Sequence, residues 1–235
     1  MSGIFSIDGN IGSGKSTAVG LLKGKFGDNV IFVDEPVDIW NSIKNKEGET
    51  ILKKFYERPH IWAFSFQMMA YISRLSILKK YIKQFPTAIL ITERSTFTDY
   101  NVFAKMLYDN GDINEIEYQI YMKWFHEFIA DIPIKGFIYI TTEPKKCLER
   151  IHKRNRKGEV ISLHYLEECH KYHKKWLREE TNVLELDGNV EYSPTIINNW
   201  SDKILNFIEK SCPKRKSPIE ENYPNGYAAD GLPLF

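Results

Sequence analysis

The sequence predicts an α/β fold, a five-stranded parallel sheet flanked by helices, and three observations predict it. Short β-prone apolar runs recur along the 235 residues. Long stretches between them carry apolar residues three and four apart. A glycine-studded turn separates the first run from the first helical stretch. Alternation of this kind argues for a parallel sheet covered by helices on both faces.

The elements follow in order. Ile4-Phe5-Ser6-Ile7-Asp8 reads as the first strand, and Ser16 to Phe26 as a helix with Val19, Leu22 and Phe26 at helical spacing. Val30 to Val33 is the second strand, stopped by Asp34-Glu35-Pro36. Ala88 to Ile91 and Phe137 to Ile140 follow, and Val183 to Leu186 is a fifth, weaker run. Trp62, Phe66 and Met69 mark one long helix; Ile120, Trp124 and Phe128 mark another. No repeat of 20 to 50 residues interrupts this order, so residues 1–210 form one domain. Beyond Lys210 the chain holds Pro213, Pro218, Pro224 and Pro233 and loses helical spacing, so 211–235 reads as a flexible tail. Its Tyr223, Tyr227 and Leu232-Pro233-Leu234-Phe235 leave docking on a partner surface open.

Composition excludes several classes. Lys and Arg number 32 against 31 Asp and Glu, a net charge of +1 that supplies no global field for nucleic acid or an anionic membrane. Hydrophobic residues at 43% exclude disorder for most of the chain. Cys147, Cys169 and Cys212 lie far apart with no C-x-x-C pair, which points to a reducing compartment and away from a zinc knuckle or disulfide framework. No run approaches the ~18 apolar residues of a membrane span, and no charged leader precedes an apolar run at the start. A cytoplasmic protein is expected. His164, His170 and His173 do not share one tight helix face, and His126-Glu127-Phe128-Ile129-Ala130 lacks the second His of a zinc protease, so no metal cluster is read from either.

Gly9-Asn10-Ile11-Gly12-Ser13-Gly14-Lys15-Ser16-Thr17 satisfies G-x-x-x-x-G-K-[ST] with a strand before it and a helix after it. Each part has a physical role. Glycines let backbone N–H groups turn in around phosphate oxygens, the helix N-terminus adds partial positive charge, Lys15 meets the outer phosphates and the Ser16 hydroxyl ligates Mg²⁺. The chain therefore binds a nucleoside triphosphate. A guanine-reading N-K-x-D is missing, since Asn45-Lys46-Glu47-Gly48 ends without the Asp, so a switch GTPase is disfavoured. A small phosphoryl-transfer enzyme remains, and it needs a carboxylate for the acceptor, a carboxylate for Mg²⁺ and cations for the transferring group. Glu35 follows the second strand and Glu93-Arg94 the third, where ligands of parallel sheets bind. Period-2 alternation lets only one of Asp34 and Glu35 face that site. Residues 145–157 hold seven Lys or Arg against one Glu; Arg150, Arg154 and Arg156 suit an Arg-rich lid over phosphates, with an address signal or solvated face as the alternative.

These motifs together resemble the deoxyribonucleoside kinases, the group of deoxycytidine, deoxyguanosine and broad-specificity insect enzymes. The resemblance spans nearly all of 1–210. It rests on Gly9 to Thr17, Glu35-Pro36-Val37 then Trp40, Tyr56-Glu57-Arg58-Pro59, Trp62 through Phe66-Gln67, Ser73-Arg74, Glu93-Arg94-Ser95 then Asp99 and Phe103, and the three lid arginines. It implies a P-loop kinase that uses ATP with Mg²⁺ and forms a homodimer. It implies Glu35 as general base for a nucleoside 5′-hydroxyl, Glu93 on Mg²⁺ and Arg94 orienting Glu35. Gln67 would bond the base edge, Phe103 stack on the base, Trp40 close the pocket and Tyr56 reach the 3′-hydroxyl. Between Arg156 and Leu163 the chain is one residue shorter than the family pattern, which leaves Glu159 at the 3′-hydroxyl open. Arg74 and Asp99 stand where thymidine-accepting members carry apolar residues, and Ala70 leaves room beside them. Deoxycytidine or a purine deoxynucleoside is therefore expected over thymidine. The adenine of ATP is expected near Asp187-Gly188-Asn189. The rivals are a monophosphate kinase of the thymidylate kinase type and a non-catalytic nucleotide-binding module.

Overall fold

A computed structural model of the chain describes residues 3–156 and 159–212. Five strands and their helices alternate: β1 Ile4–Asp8, α1 Lys15–Leu22, β2 Val30–Val33, α2 Val37–Ser42, α3 Ile51–Glu57, α4 Pro59–Gln84 and β3 Ile89–Glu93. Then come α5 Thr96–Thr98, a π-helical segment Asp99–Ala104, α6 Lys105–Asp109, α7 Glu115–Phe128, β4 Ile134–Thr141, α8 Pro144–Arg154, α9 Leu163–Glu179, β5 Val183–Asp187 and α10 Pro194–Ser211. All strand pairs are parallel, in the order β2-β3-β1-β4-β5. Of the expected 211–235 tail, residues 213–235 lie outside the described residues, and Ser211 still belongs to α10. No helix among the described residues is long and apolar enough to cross a membrane.

The first two strands have the limits their sequence suggests, but β3 and β4 are longer. β3 runs on through Thr92 and Glu93, so Glu93 ends the strand instead of following it. β4 begins at Ile134, ahead of Lys135 and Gly136, which break the apolar run. Gly136 is there for space: a Cβ would lie 2.6 Å from the Phe207 ring on α10. The first helix stops at Leu22 and tightens into a 3₁₀ turn, Lys23–Lys25, short of Phe26.

Central β1 is buried along its whole length and divides the core. Phe5 and Ile7 pack with Val19 and Leu22 of α1 and Ile197, Trp200 and Ile204 of α10. Ile4, on the opposite face, packs with Tyr71, Leu75 and Leu78 of α4 and Tyr121 and Phe125 of α7. The spacing of Ile120, Trp124 and Phe128 signals the α7 helix, yet it is not the buried face. Ile120 and Trp124 are 40% and 47% exposed, while Tyr121 and Phe125 face inward. An Asn114–Glu117 capping box starts that helix, and Pro59 at the first turn starts α4.

Candidate active site

The turn after β1 carries three glycines with positive φ, at +151° for Gly9, +76° for Gly12 and +96° for Gly14. Space adds a second demand. A Cβ on Gly9 would sit 2.5 Å from the Ile140 carbonyl oxygen, and one on Gly12 2.5 Å from that of Cys147. Asn10 fixes the loop by donating from Nδ2 to the Leu166 carbonyl at 2.8 Å and accepting from the Ile11 N–H at 2.8 Å. The Ser13 carbonyl accepts from Arg150 Nη1 at 2.9 Å and Thr142 Oγ1 at 3.1 Å. Lys15 is buried, with Nζ donating to the Gly9 and Asn10 carbonyls at 2.9 and 2.7 Å. Burial and then the Arg94 charge push its ammonium down to about 7, with Glu93 and Glu35 pulling the other way.

Two strand ends supply the charged groups opposite. Arg94, directly after β3, takes a left-handed φ of +60°, a strained choice for a side-chain-bearing residue that turns its guanidinium towards Glu35. Arg94 Nη1 donates to Glu35 Oε1 at 2.7 Å, and Arg74 Nη2 reaches the same oxygen at 3.2 Å. Burial alone would raise the Glu35 carboxyl; Arg94 first and Arg74 next outweigh it and hold it well below the usual carboxylate range. Ser16 Oγ donates to Glu93 Oε1 at 2.7 Å. Asp34 turns to Lys23 at the exposed edge, 2.7 Å away, yet both Asp34 and Glu35 touch the cavity. This corrects the alternation argument: β2 ends at Val33, so strand periodicity does not extend to the pair.

These groups line a cavity of about 930 Å³. Trp40 comes to it from α2, Tyr56 from α3, Gln67 and Arg74 from two turns of α4, and Asp99 and Phe103 from the π-helical segment. Ile11, Gly12, Gly14, Lys15, Ser16, Thr17, Glu93, Arg94, Arg150, Arg154, Arg156 and Glu159 complete the expected residues on its wall. Gly9, Asn10 and Ser13 stand behind that wall as the frame of the loop. Arg74 holds Asp99 in a fork, Nε to Oδ2 at 2.9 Å and Nη2 to Oδ1 at 3.3 Å, and sends Nη1 to the Glu93 carbonyl at 2.9 Å. Gln67 is buried, and its Oε1 has no hydrogen-bond partner among the described residues. The Arg94 guanidinium lies 5.3 Å from the Phe103 ring centre. Arg154 grips both Glu159 carboxylate oxygens through the Nε and Nη2 edge of its guanidinium, and burial, helped by Glu159, pushes the Tyr56 phenol up.

Sequence reasoning missed Tyr192. Its hydroxyl donates to the Gly14 carbonyl at 3.3 Å, its ring lies 5.7 Å from the Arg150 guanidinium, and it lines the cavity with Glu191. Asp187, Gly188 and Asn189 stay off the wall; Asn189 accepts from the Glu143 N–H at 2.9 Å and shapes the loop. The rule that sites gather beyond strand ends would have found Tyr192 had it been carried five residues past β5. Asp8 was missed too: it is fully buried, accepts from the Thr98 hydroxyl and ties the loop's strand to the helix start ahead of Asp99.

The donor set suits one small hard cation. Ser16 and Glu93 put a hydroxyl and a carboxylate side by side, and Mg²⁺ takes one or two such oxygens and leaves its other positions to phosphates and water. No cluster of three or more His, Cys, Asp or Glu that could cage a metal occurs among the described residues.

A parallel sheet with a phosphate loop after β1, facing a guanidinium-held carboxylate across one cavity, defines a P-loop phosphotransferase. A family model of the deoxynucleoside kinases matches residues 5–213. Deoxycytidine kinase 2 of Gallus gallus is 35% identical over 223 residues, covering 86% of this chain and 83% of its own. Deoxycytidine kinase of Bos taurus is 36% identical over 238 residues, 88% of each chain, and the mitochondrial deoxyguanosine kinase of Xenopus laevis is 31% identical over 221, covering 86% and 83%. The chain belongs to the deoxynucleoside kinase family and is an ATP-dependent phosphotransferase.

Proposed function

We propose that the chain transfers the γ-phosphoryl group of ATP to the 5′-hydroxyl of a deoxynucleoside, with Glu35 as general base and deoxycytidine or a purine deoxynucleoside preferred over thymidine. One observation carries the reading: two guanidiniums hold Glu35 Oε1, no hydrogen bond to Oε2 occurs among the described residues, and the residue lines the cavity. The carboxylate is thus oriented and left with one accepting oxygen. That oxygen takes the 5′-hydroxyl proton as the new O–P bond forms and the bond from Pγ to the ADP oxygen breaks. Its low basicity suits a loose transition state, in which orientation of the acceptor counts for more than proton affinity.

The other residues have parts in the same step. Lys15 and the loop N–H groups hold the triphosphate, and Arg150, Arg154 and Arg156 form the lid over it. Mg²⁺ at Ser16 and Glu93 would neutralise phosphate charge. Gln67 bonds the base edge, Phe103 and Trp40 flank the base, and the Arg74–Asp99 pair faces it as a charged fork that a thymine edge matches poorly. Tyr56 and Glu159, both on the cavity wall, take the sugar 3′-hydroxyl.

We further infer a homodimer. Exposed Ile116, Ile120 and Trp124 form an apolar stripe on α7, and exposed Ile61 and Ile72 lie on α4, which packs against it. Three free cysteines suit a cytoplasmic location. Purified protein given Mg²⁺-ATP and each of four deoxynucleosides or their monophosphates tests the function. Phosphorylation of deoxycytidine or a purine deoxynucleoside is expected; a far higher kcat/KM for thymidine would overturn the preference, and turnover of monophosphates alone would overturn the reaction.

A further inference from the structure

Trp40 is buried at the cavity wall, and its indole is held from three sides. Phe66 meets it edge-on at 5.5 Å and 80°, the Arg74 guanidinium lies 5.7 Å from its centre, and Nε1 donates to Ser73 Oγ at 2.9 Å. Ser73 is buried in α4, one residue before Arg74, and is not on the cavity wall. Its hydroxyl has a single proton, which lies within reach of the Met69 carbonyl at 2.7 Å and the Ala70 carbonyl at 3.1 Å, both one turn back. Donated to either carbonyl, that proton leaves a lone pair on Oγ for the Trp40 N–H.

A serine whose hydroxyl bonds back to its own helix is a poor choice for a helix interior, where alanine is better, as at Ala63 and Ala70 of the same helix. The indole N–H accounts for it, because a buried donor left without an acceptor is costly. We propose that Ser73 is a positioning residue for the nucleoside: it seats the Trp40 indole and so sets nucleoside affinity without touching nucleoside or ATP. This rests on Trp40 being a wall of the nucleoside site.

The test is steady-state kinetics of Ser73→Ala, Ser73→Cys and Ser73→Thr, alone and with Trp40→Phe. Ser73→Ala, and Ser73→Cys with its weak acceptor, should raise nucleoside KM about tenfold with kcat and ATP KM within twofold. Ser73→Thr, which keeps the hydroxyl, should restore it. In a Trp40→Phe background, with no N–H to seat, Ser73→Ala should have no further effect. The inference is overturned if ATP KM rises in parallel with nucleoside KM, if nucleoside KM does not move, or if the effect survives in the Trp40→Phe background. Trp40→Phe that by itself leaves nucleoside KM unchanged overturns the wall reading, and the inference with it.

Discussion

Glu35→Gln isolates the general base, because it is nearly isosteric and keeps an amide oxygen where Oε1 accepts from Arg94 at 2.7 Å and Arg74 at 3.2 Å. The other terminal atom becomes an NH₂ that cannot take a proton. Positioned proton transfer contributes roughly 10²–10⁴-fold, so kcat should fall by about that factor. ATP affinity should stay within about threefold, since only the transition state uses the base. Removing the negative charge also leaves two buried guanidiniums with less to offset them: Arg74 keeps Asp99 and the Glu93 carbonyl, and Arg94 keeps the Gly9 carbonyl at 3.4 Å. Hydrogen bonds to charged groups contribute about 1.5–3 kcal/mol, and for a chain of this size each kcal/mol moves Tm by about 2–4 °C, so a drop of roughly 3–12 °C is expected. Radiometric nucleoside phosphorylation, binding of a non-hydrolysable ATP analogue and differential scanning calorimetry read the three quantities. Turnover above about a tenth of wild type would refute the role of Glu35, and loss of analogue binding equal to the loss of kcat would make it structural.

Three further outcomes follow from the same contacts. With Lys15 held near 7 in the free protein, triphosphate binding should raise it and take up close to one proton at pH 8 and almost none at pH 6; calorimetric enthalpies in buffers of different ionisation heat that show no such uptake would refute the depressed ammonium. Asp99→Asn strips Arg74 of its fork and should lower Tm by roughly 5 °C, and adding Arg74→Gln should cost less than the two losses summed, so strict additivity in a thermal-melt cycle counts against the pair. Trp124→Glu on the α7 stripe should convert a wild-type dimer to monomer by light scattering with the melt little changed; a monomeric wild type removes the surface argument.

The parts legible in the sequence are those that chemistry confines to short windows. A phosphate loop needs its glycines and lysine at fixed spacing, and the β1 and β2 runs are bounded by residues that cannot extend a strand. Other features depend on partners distant in the chain. Helical spacing around Ile120 reveals the period of α7, but which face is buried depends on α4 and on Tyr71 and Phe97 packed against Phe125. The π-helical turns at Asp99–Ala104 arise where Asp99 meets Arg74, 25 residues away, and Thr98 meets Asp8, 90 away. Gly136 hides the start of β4 because it answers to Phe207, not to its neighbours.

The charges on the cavity wall explain why a chain of net charge +1 can handle a polyanion. Arg74 and Arg94, with Lys15 as a third cation once its depressed ammonium is protonated, stand against Glu35, Glu93 and Asp99, so the inner site holds no positive excess before any ligand arrives. A triphosphate upsets that balance, and further cations must come with it. The lid proposed here holds them in reserve on protein oxygens: Arg150 on the Ser13 and Val190 carbonyls, Arg154 on Glu159. For Arg154 to reach phosphate it must leave Glu159, and a carboxylate so released beside Tyr56 becomes available to the sugar. In the proposed reaction that exchange would couple triphosphate binding to the nucleoside side, with Glu159 giving up a guanidinium and taking a sugar hydroxyl as its donor.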